Sequence, residues 1–224
     1  MRVEALIFDV DGTLAETEEV HRIAFEQAFA EDGLDWRWDV ELYRDLLRVT
    51  GGKERIRHFV ATSDVAPIGE ERVVRLHLRK NEIYGELVRA GGAQPRPGVR
   101  ALIERARAAG LRLALATTTS RTNVEALIEG SFATLGPNPF APVVAGEDVA
   151  VKKPDPEAYV QALVRLGLPA AACLVFEDSW NGLRAATGAG LRTIVTPSLY
   201  TAHEDFTGAA AVVADLDAFD LTAW

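Results

Sequence analysis

The sequence predicts an α/β fold: a doubly wound parallel sheet with an all-helical segment inserted after its first strand. Three observations predict it. Strand-length apolar runs at residues 3–8, 111–117 and 173–176 are near-continuous, as in strands buried on both faces. Between the first two of these runs, residues 16–90 show helical periodicity and no strand signal. From residue 91 onward strand and helix signals alternate, the pattern of βαβ units. The expected division is therefore a core of residues 1–15 and 91–224 and an inserted cap of residues 16–90.

In chain order, Val3 to Phe8 is the first strand, and Asp9-Val10-Asp11-Gly12-Thr13-Leu14 turns away from it. Thr17 is the expected N-cap of the next helix, with Glu18 and Glu19 favourable in its first turn. Val20, Ile23, Ala24 and Ala28 repeat at helical spacing until Gly33 and Asp35-Trp36-Arg37-Trp38 break the helix. Val40, Tyr43, Leu46 and Leu47 mark a second helix, with Tyr43 read as core. Thr50-Gly51-Gly52-Lys53 is a glycine turn before a short helix through Ile56, Phe59 and Val60. A last cap helix is expected from Glu70 to Ala90.

Pro95 to Gly98 re-enters the core, and a helix runs from Val99 to Ala109, stopped by Gly110. Strands follow at residues 111–117, 143–145, 173–176, 193–195 and 211–213. Helices at residues 123–129, 156–166 and 182–190 separate them, the second ended by Gly167.

Composition narrows the function. A formal charge of −9 over 224 residues argues against nucleic acid as partner, because backbone binding needs a basic surface. No apolar run is long enough to span a membrane, and the N-terminus has no basic region followed by an apolar stretch. A cytoplasmic monomer is expected, with no membrane partner. The single cysteine, Cys173, lies in an apolar run and leaves no disulfide framework or zinc–cysteine site.

Four stretches carry chemistry, each just past a strand or on a loop beyond one. Asp9 and Asp11 come first, an acidic turn after a strand or a catalytic pair. A carboxylate can attack phosphorus, and a second can move the protons of the leaving oxygen and of water. Two such charges also call for a hard cation, and Mg²⁺ suits oxygen ligands. Thr117-Thr118-Thr119-Ser120 follows, where a hydroxyl and backbone N–H groups could hold a phosphate oxygen, or simply cap a helix. Lys152-Lys153-Pro154 is third: Lys153 could lie beside a transferring phosphoryl group, or both lysines could be solvated. Glu177-Asp178-Ser179 is fourth, a metal site or the start of a turn.

Taken in this order, the four stretches resemble the four-part motif of the haloacid dehalogenase superfamily, over nearly the whole chain. The resemblance implies a Rossmann-like core, with the helical insertion as its cap. It makes Asp9 the nucleophile and Asp11 the acid/base, with Thr117, Thr118 and Lys153 holding the phosphoryl group. It places Mg²⁺ on Asp9, the Asp11 backbone carbonyl and Asp178, with Glu177 nearby or acting through water. An aspartate at position 11 further implies a phosphatase or phosphomutase.

Residues 15–22, 50–56, 117–120 and 177–182 resemble the CbbY family within that superfamily. This implies hydrolysis of a small sugar bisphosphate, xylulose-1,5-bisphosphate, an inhibitor of the carbon-fixing enzyme Rubisco. Trp180 departs from the aliphatic residue of that pattern. Among the cap residues, Glu16, Gly52, Lys53, His77 and Lys80 are the substrate-binding candidates. Val73, Leu76, Ile83, Tyr84 and Leu87 form one apolar stripe, and His77 and Lys80 fall in or beside it. A cation on such a face is costly unless paired, so Lys80 either snorkels out, meets a cap glutamate, or receives a second phosphate. His21 and His58 read as ordinary surface or packing residues. A β-phosphoglucomutase-like phosphomutase and a receiver-like phospho-aspartate signalling module are the alternatives.

Overall fold

The computed structural model describes residues 3–224. Six strands form one parallel sheet: β1 (Ala5–Phe8), β2 (Arg112–Ala116), β3 (Val143–Val144), β4 (Cys173–Glu177), β5 (Arg192–Val195) and β6 (Ala211–Val212). Their order across the sheet is β3-β2-β1-β4-β5-β6. The two halves of the sheet therefore wind outward from β1, which places a topological switch point between β1 and β4.

Strand β1 shows why the sheet needs helices on both sides. All four of its residues are buried. Leu6 and Phe8 join one apolar cluster with Val99, Leu102 and Ile103, whereas Ala5 and Ile7 join another with Ala158, Tyr159, Ala185 and Ala186. Alternate side chains thus enter opposite layers. The first layer contains α5 (Val99–Ala108) and α6 (Arg121–Ser131), and the second contains α7 (Glu157–Leu166) and α8 (Trp180–Gly188).

Between β1 and α5, the helix that leads into β2, lie four cap helices: α1 (Glu18–Glu31), α2 (Val40–Leu46), α3 (Gly52–Thr62) and α4 (Glu70–Leu87). They share an aromatic cluster in which Trp38 packs 4.7 Å from Phe25, 4.9 Å from Phe29 and 5.4 Å from Phe59 between ring centroids. Each of these rings buries a large apolar area, and Leu46, Ile56, Val73 and Leu76 fill in around them. The last cap helix ends at Leu87 rather than Ala90: the next turn widens into a π-turn over Val88–Gly92, with Gly91 at φ +89°. That conformation strongly favours glycine. Helix α8 starts earlier than expected, at Trp180, because Ser179 caps it by accepting from the Gly182 N–H. No helix among the described residues is long and apolar enough to cross a membrane.

Candidate active site

The register of the central strands brings the sequence motifs together. Phe8 pairs with Leu115 on one side and with Phe176 on the other. Asp9, Thr117, Glu177 and Asp178 therefore leave three adjacent strands at the same edge of the sheet. The loop beyond β3 adds Lys153 to the same floor. Gly12 lets the chain turn over this floor: its φ is +80°, and a Cβ there would overlap the Asp178 carboxylate.

Lys153 is the electrostatic centre. Its ammonium donates to Asp9 Oδ1 at 2.7 Å and to Glu177 Oε1 at 2.6 Å, and lies 4.8 Å above the Tyr159 ring. Tyr159 also donates its hydroxyl proton to Glu177 Oε1 at 2.5 Å, and Glu177 Oε2 accepts from the Asp178 N–H. Burial works against a charge on Lys153, but Asp9 and Glu177 outweigh it and raise its pKa. Burial likewise raises Asp9, together with repulsion from Glu177 and against the pull of Lys153. Burial and the charges of Asp9 and Glu177 raise Asp178, opposed by a hydrogen bond from Ser198.

Oxygen atoms of Asp9, Glu177 and Asp178 lie within 4.8 Å of one another, all on buried residues. One ammonium cannot compensate three carboxylates. Three buried carboxylates whose oxygens converge on one point make an all-oxygen donor set, which fits a hard dication such as Mg²⁺.

Asp11 turns the other way, toward the cap. Its Oδ1 accepts from the Thr17 hydroxyl at 2.6 Å and lies 2.9 Å from His21 Nε2. Behind His21, Nδ1 sits 2.6 Å from the Lys80 ammonium. This arrangement assigns the proton positions: a neutral imidazole donates through Nε2 to the carboxylate and accepts at Nδ1 from Lys80. Burial would raise Asp11, but His21, Thr17 and Lys80 outweigh it and hold the carboxyl at about 2. Burial lowers His21, helped by Lys80 and opposed by Asp11. Burial brings Lys80 down to about 7, against the attraction of Asp11.

His21 is thus a working part of the site and not an ordinary packing histidine. Its signal was available in the spacing: Thr17 and His21 lie one helical turn apart, so both side chains can face the preceding motif. Thr17 begins α1 as expected but makes no side-chain cap, because its hydroxyl serves Asp11. Tyr43 is buried as expected, yet its hydroxyl donates to Glu18. Lys80 neither snorkels out nor meets a glutamate.

A cleft between core and cap is lined by Asp9, Asp11, Thr117, Thr118, Lys153 and Asp178 below, and by Gly52, Lys53, His77 and Lys80 above. Gly52 must lack a side chain because the His77 ring lies against it. Burial with Lys80, Lys152 and Lys53 pushes His77 down to about 3, so it faces the cleft as a neutral imidazole and not as a cation. Glu16, expected among the substrate ligands, is not part of this lining. It pairs instead with Arg96 Nε at 3.2 Å, beside the point where the cap leaves the core. Lys152 is not a solvated partner of Lys153 but joins core to cap, donating to Glu54 at 3.0 Å. Next to it, the Thr50 hydroxyl donates to the Lys153 carbonyl. Trp180 does not crowd Asp178: it is 43 % exposed, with the Arg184 guanidinium 5.9 Å above its ring.

A lysine–carboxylate floor at a topological switch point, beneath a helical cap, suits the transfer of a phosphoryl group. The model of haloacid dehalogenase-like hydrolases matches residues 3–190. The chain is 52 % identical over 218 residues to protein CbbY of Rhodobacter capsulatus, covering 97 % of this chain and 96 % of that protein. Its fold matches the crystal structure of CbbY from Rhodobacter sphaeroides in complex with phosphate, with a TM-score of 0.91, 49 % identity and 96 % of each chain covered. An Asp→Asn variant of that protein in complex with xylulose-1,5-bisphosphate gives the same TM-score of 0.91, at 48 % identity and 96 % coverage of each chain. The chain belongs to the haloacid dehalogenase-like hydrolase family, and it is a phosphatase.

Proposed function

We propose that the chain is a Mg²⁺-dependent sugar-bisphosphate phosphatase acting through an aspartyl-phosphate, with xylulose-1,5-bisphosphate as its substrate and xylulose-5-phosphate as its product. The observation that carries the reading is the polarity of the cleft: a lysine–carboxylate floor faces Lys53 and Lys80 across the space where a substrate must lie. One end suits a phosphoryl group in transfer, and the other suits a second anion. The xylulose-1,5-bisphosphate complex of a protein 48 % identical to this chain supports the choice of sugar.

Asp9 presents Oδ2 to the phosphorus, since Lys153 occupies Oδ1. The new Asp9–phosphorus bond forms as the ester P–O bond breaks, and the sugar oxygen leaves with a proton from the acid/base Asp11. Water then attacks the phospho-aspartate, gives its proton to the Asp11 carboxylate, and frees phosphate with Asp9 restored. Thr117, the Thr118 backbone and Lys153 hold the phosphoryl oxygens in both steps. Accepting from the Thr17 hydroxyl and from His21, Asp11 rests as a carboxylate and must take up a proton before it can act as an acid. Asp9 and Asp178, with the Asp11 carbonyl and with Glu177 nearby, would hold Mg²⁺, which supplies charge neutralisation for the phosphoryl oxygens.

The test is a panel of sugar phosphates and bisphosphates assayed with Mg²⁺ for released phosphate and for isomerised sugar. Release from xylulose-1,5-bisphosphate ahead of the monophosphates is expected. Isomerisation of β-glucose-1-phosphate without phosphate release would replace the reading with a phosphomutase, and a long-lived phosphoprotein without turnover would replace it with a signalling module.

A further inference from the structure

Most carboxylates lining the cleft have an assignment. Asp9 and Asp178 belong to the floor, and Asp11 is held by Thr17 and His21. Glu147 accepts from the Arg121 N–H, and Glu204 accepts from the Trp180 N–H. Glu18 remains. It is the first residue of α1, half-buried, and it lines the cleft outside the group that could hold a metal.

Three cap helices converge to fix it. The Tyr43 hydroxyl on α2 donates to Glu18 Oε2 at 2.9 Å and accepts from Arg55 Nη1 on α3, also at 2.9 Å. Arg55 is itself buried and anchored by its Nε to the Leu46 carbonyl. Burial and the Glu18 charge keep the Tyr43 phenol protonated, so the donor direction is fixed. Among the described residues no protein donor reaches the other oxygen, Oε1.

A pinned carboxylate with a free oxygen is out of place in a cleft built for phosphate, because it repels the anion. The donors that the carbon chain of a phosphate ester can offer it are neutral hydroxyls. We propose that Glu18 is a specificity-determining residue that accepts a hydrogen bond from a hydroxyl of the substrate's carbon chain. It would read the polyol between the catalytic floor and the cap cations, and so require a hydroxylated phosphate ester. This rests on the sugar-phosphate reading above and adds the residue that senses the sugar itself. A site built around a buried hydrogen-bonding group discriminates strongly against an analogue lacking the partner hydroxyl.

The test compares wild type, Glu18→Gln and Tyr43→Phe in the full chain with Mg²⁺. The substrates are xylulose-1,5-bisphosphate, its singly deoxygenated analogues and p-nitrophenyl phosphate. Glu18→Gln should lower kcat/KM for the intact sugar about 10- to 150-fold more than for p-nitrophenyl phosphate. On one deoxy analogue that extra loss should vanish, identifying the hydroxyl. Tyr43→Phe keeps the carboxylate but frees it, and should give a smaller loss on the same substrates, seen mainly in KM. Equal losses on all substrates would overturn the proposal and make Glu18 a folding or electrostatic residue. Absence of phosphate release from every substrate by the wild type would instead refute the phosphatase reading.

Discussion

Lys153 on the core and Lys80 on the cap are each only 4 % exposed, yet their surroundings drive their protons in opposite directions. Lys153 touches two carboxylates, at 2.7 and 2.6 Å, and its pKa rises. Lys80 touches a neutral imidazole and the faces of Phe25 and Tyr84, 4.9 and 5.3 Å from its nitrogen, and comes down to about 7. Burial costs both alike; the partner decides the outcome. The floor thus carries its own compensation in the free enzyme, whereas the cap holds a cation that an incoming anion would complete.

Predictions that break or sharpen this contrast follow in order of size. Asp9→Asn should keep the fold and leave less than a few per cent of wild-type phosphate release, because a neutral amide forms no phosphoenzyme. Substantial turnover by the purified variant would remove Asp9 as nucleophile. Lys153→Met leaves Asp9 and Glu177 buried without their counter-charge and should cost ~3–5 kcal/mol of stability by urea unfolding. A variant as stable as wild type would mean that the floor is not held by this lysine. Asp11→Asn should lower kcat ~10²–10⁴-fold while Mg²⁺ affinity changes little, since the backbone carbonyl survives.

On the cap side, Lys80→Ala should lower kcat/KM for a bisphosphate ~10- to 150-fold, and far less for p-nitrophenyl phosphate, which has no second phosphate. Equal losses would tie Lys80 to the chemistry through His21. The last prediction is read as stability against pH. A lysine lowered from its unfolded value of about 10.4 carries its full cost below about 7, and the cost fades as pH rises between those values. Lys80→Met should therefore gain stability over wild type most at pH 6 and least at pH 10. A pH-independent difference would place the Lys80 pKa near its unperturbed value.

The core was more legible than the cap for a related reason. Buried parallel strands announce themselves as apolar runs whose ends carry Asp9, Thr117 and Asp178; singly, Thr117 also reads as a helix cap and Asp178 as the start of a turn, and only the four stretches in order point to phosphoryl transfer. Tyr159 escaped notice because it sits on the apolar face of α7, where an aromatic is ordinary; only the fold shows its hydroxyl against Glu177. Glu18, Arg55 and Tyr43 lie on three separate helices, and no local pattern relates them. Lys152 looked solvated because its partner, Glu54, lies 98 residues away. Local periodicity predicts elements, but a cleft between two units is made of pairs that neither unit contains alone.

The two chain segments that join cap to core run side by side. Ala15 bridges Pro95, and the Arg96 N–H donates to the Leu14 carbonyl at 2.9 Å. Arg96 stitches the same spot further, donating to the carbonyls of Gly12 at 2.6 Å and Pro197 at 2.8 Å. Entry and exit thus form a single seam, yet the insertion is not a detachable part: α1 and α4 bury Val20, Ala24, Ile83 and Tyr84 in the same apolar cluster as Leu6 and Phe8 of β1. The nucleophile is wired by the core alone, through Lys153, whereas Asp11 is wired by Thr17, His21 and Lys80 of the cap. Any exchange of the cap would therefore reset the acid/base as well as the groups that face the substrate.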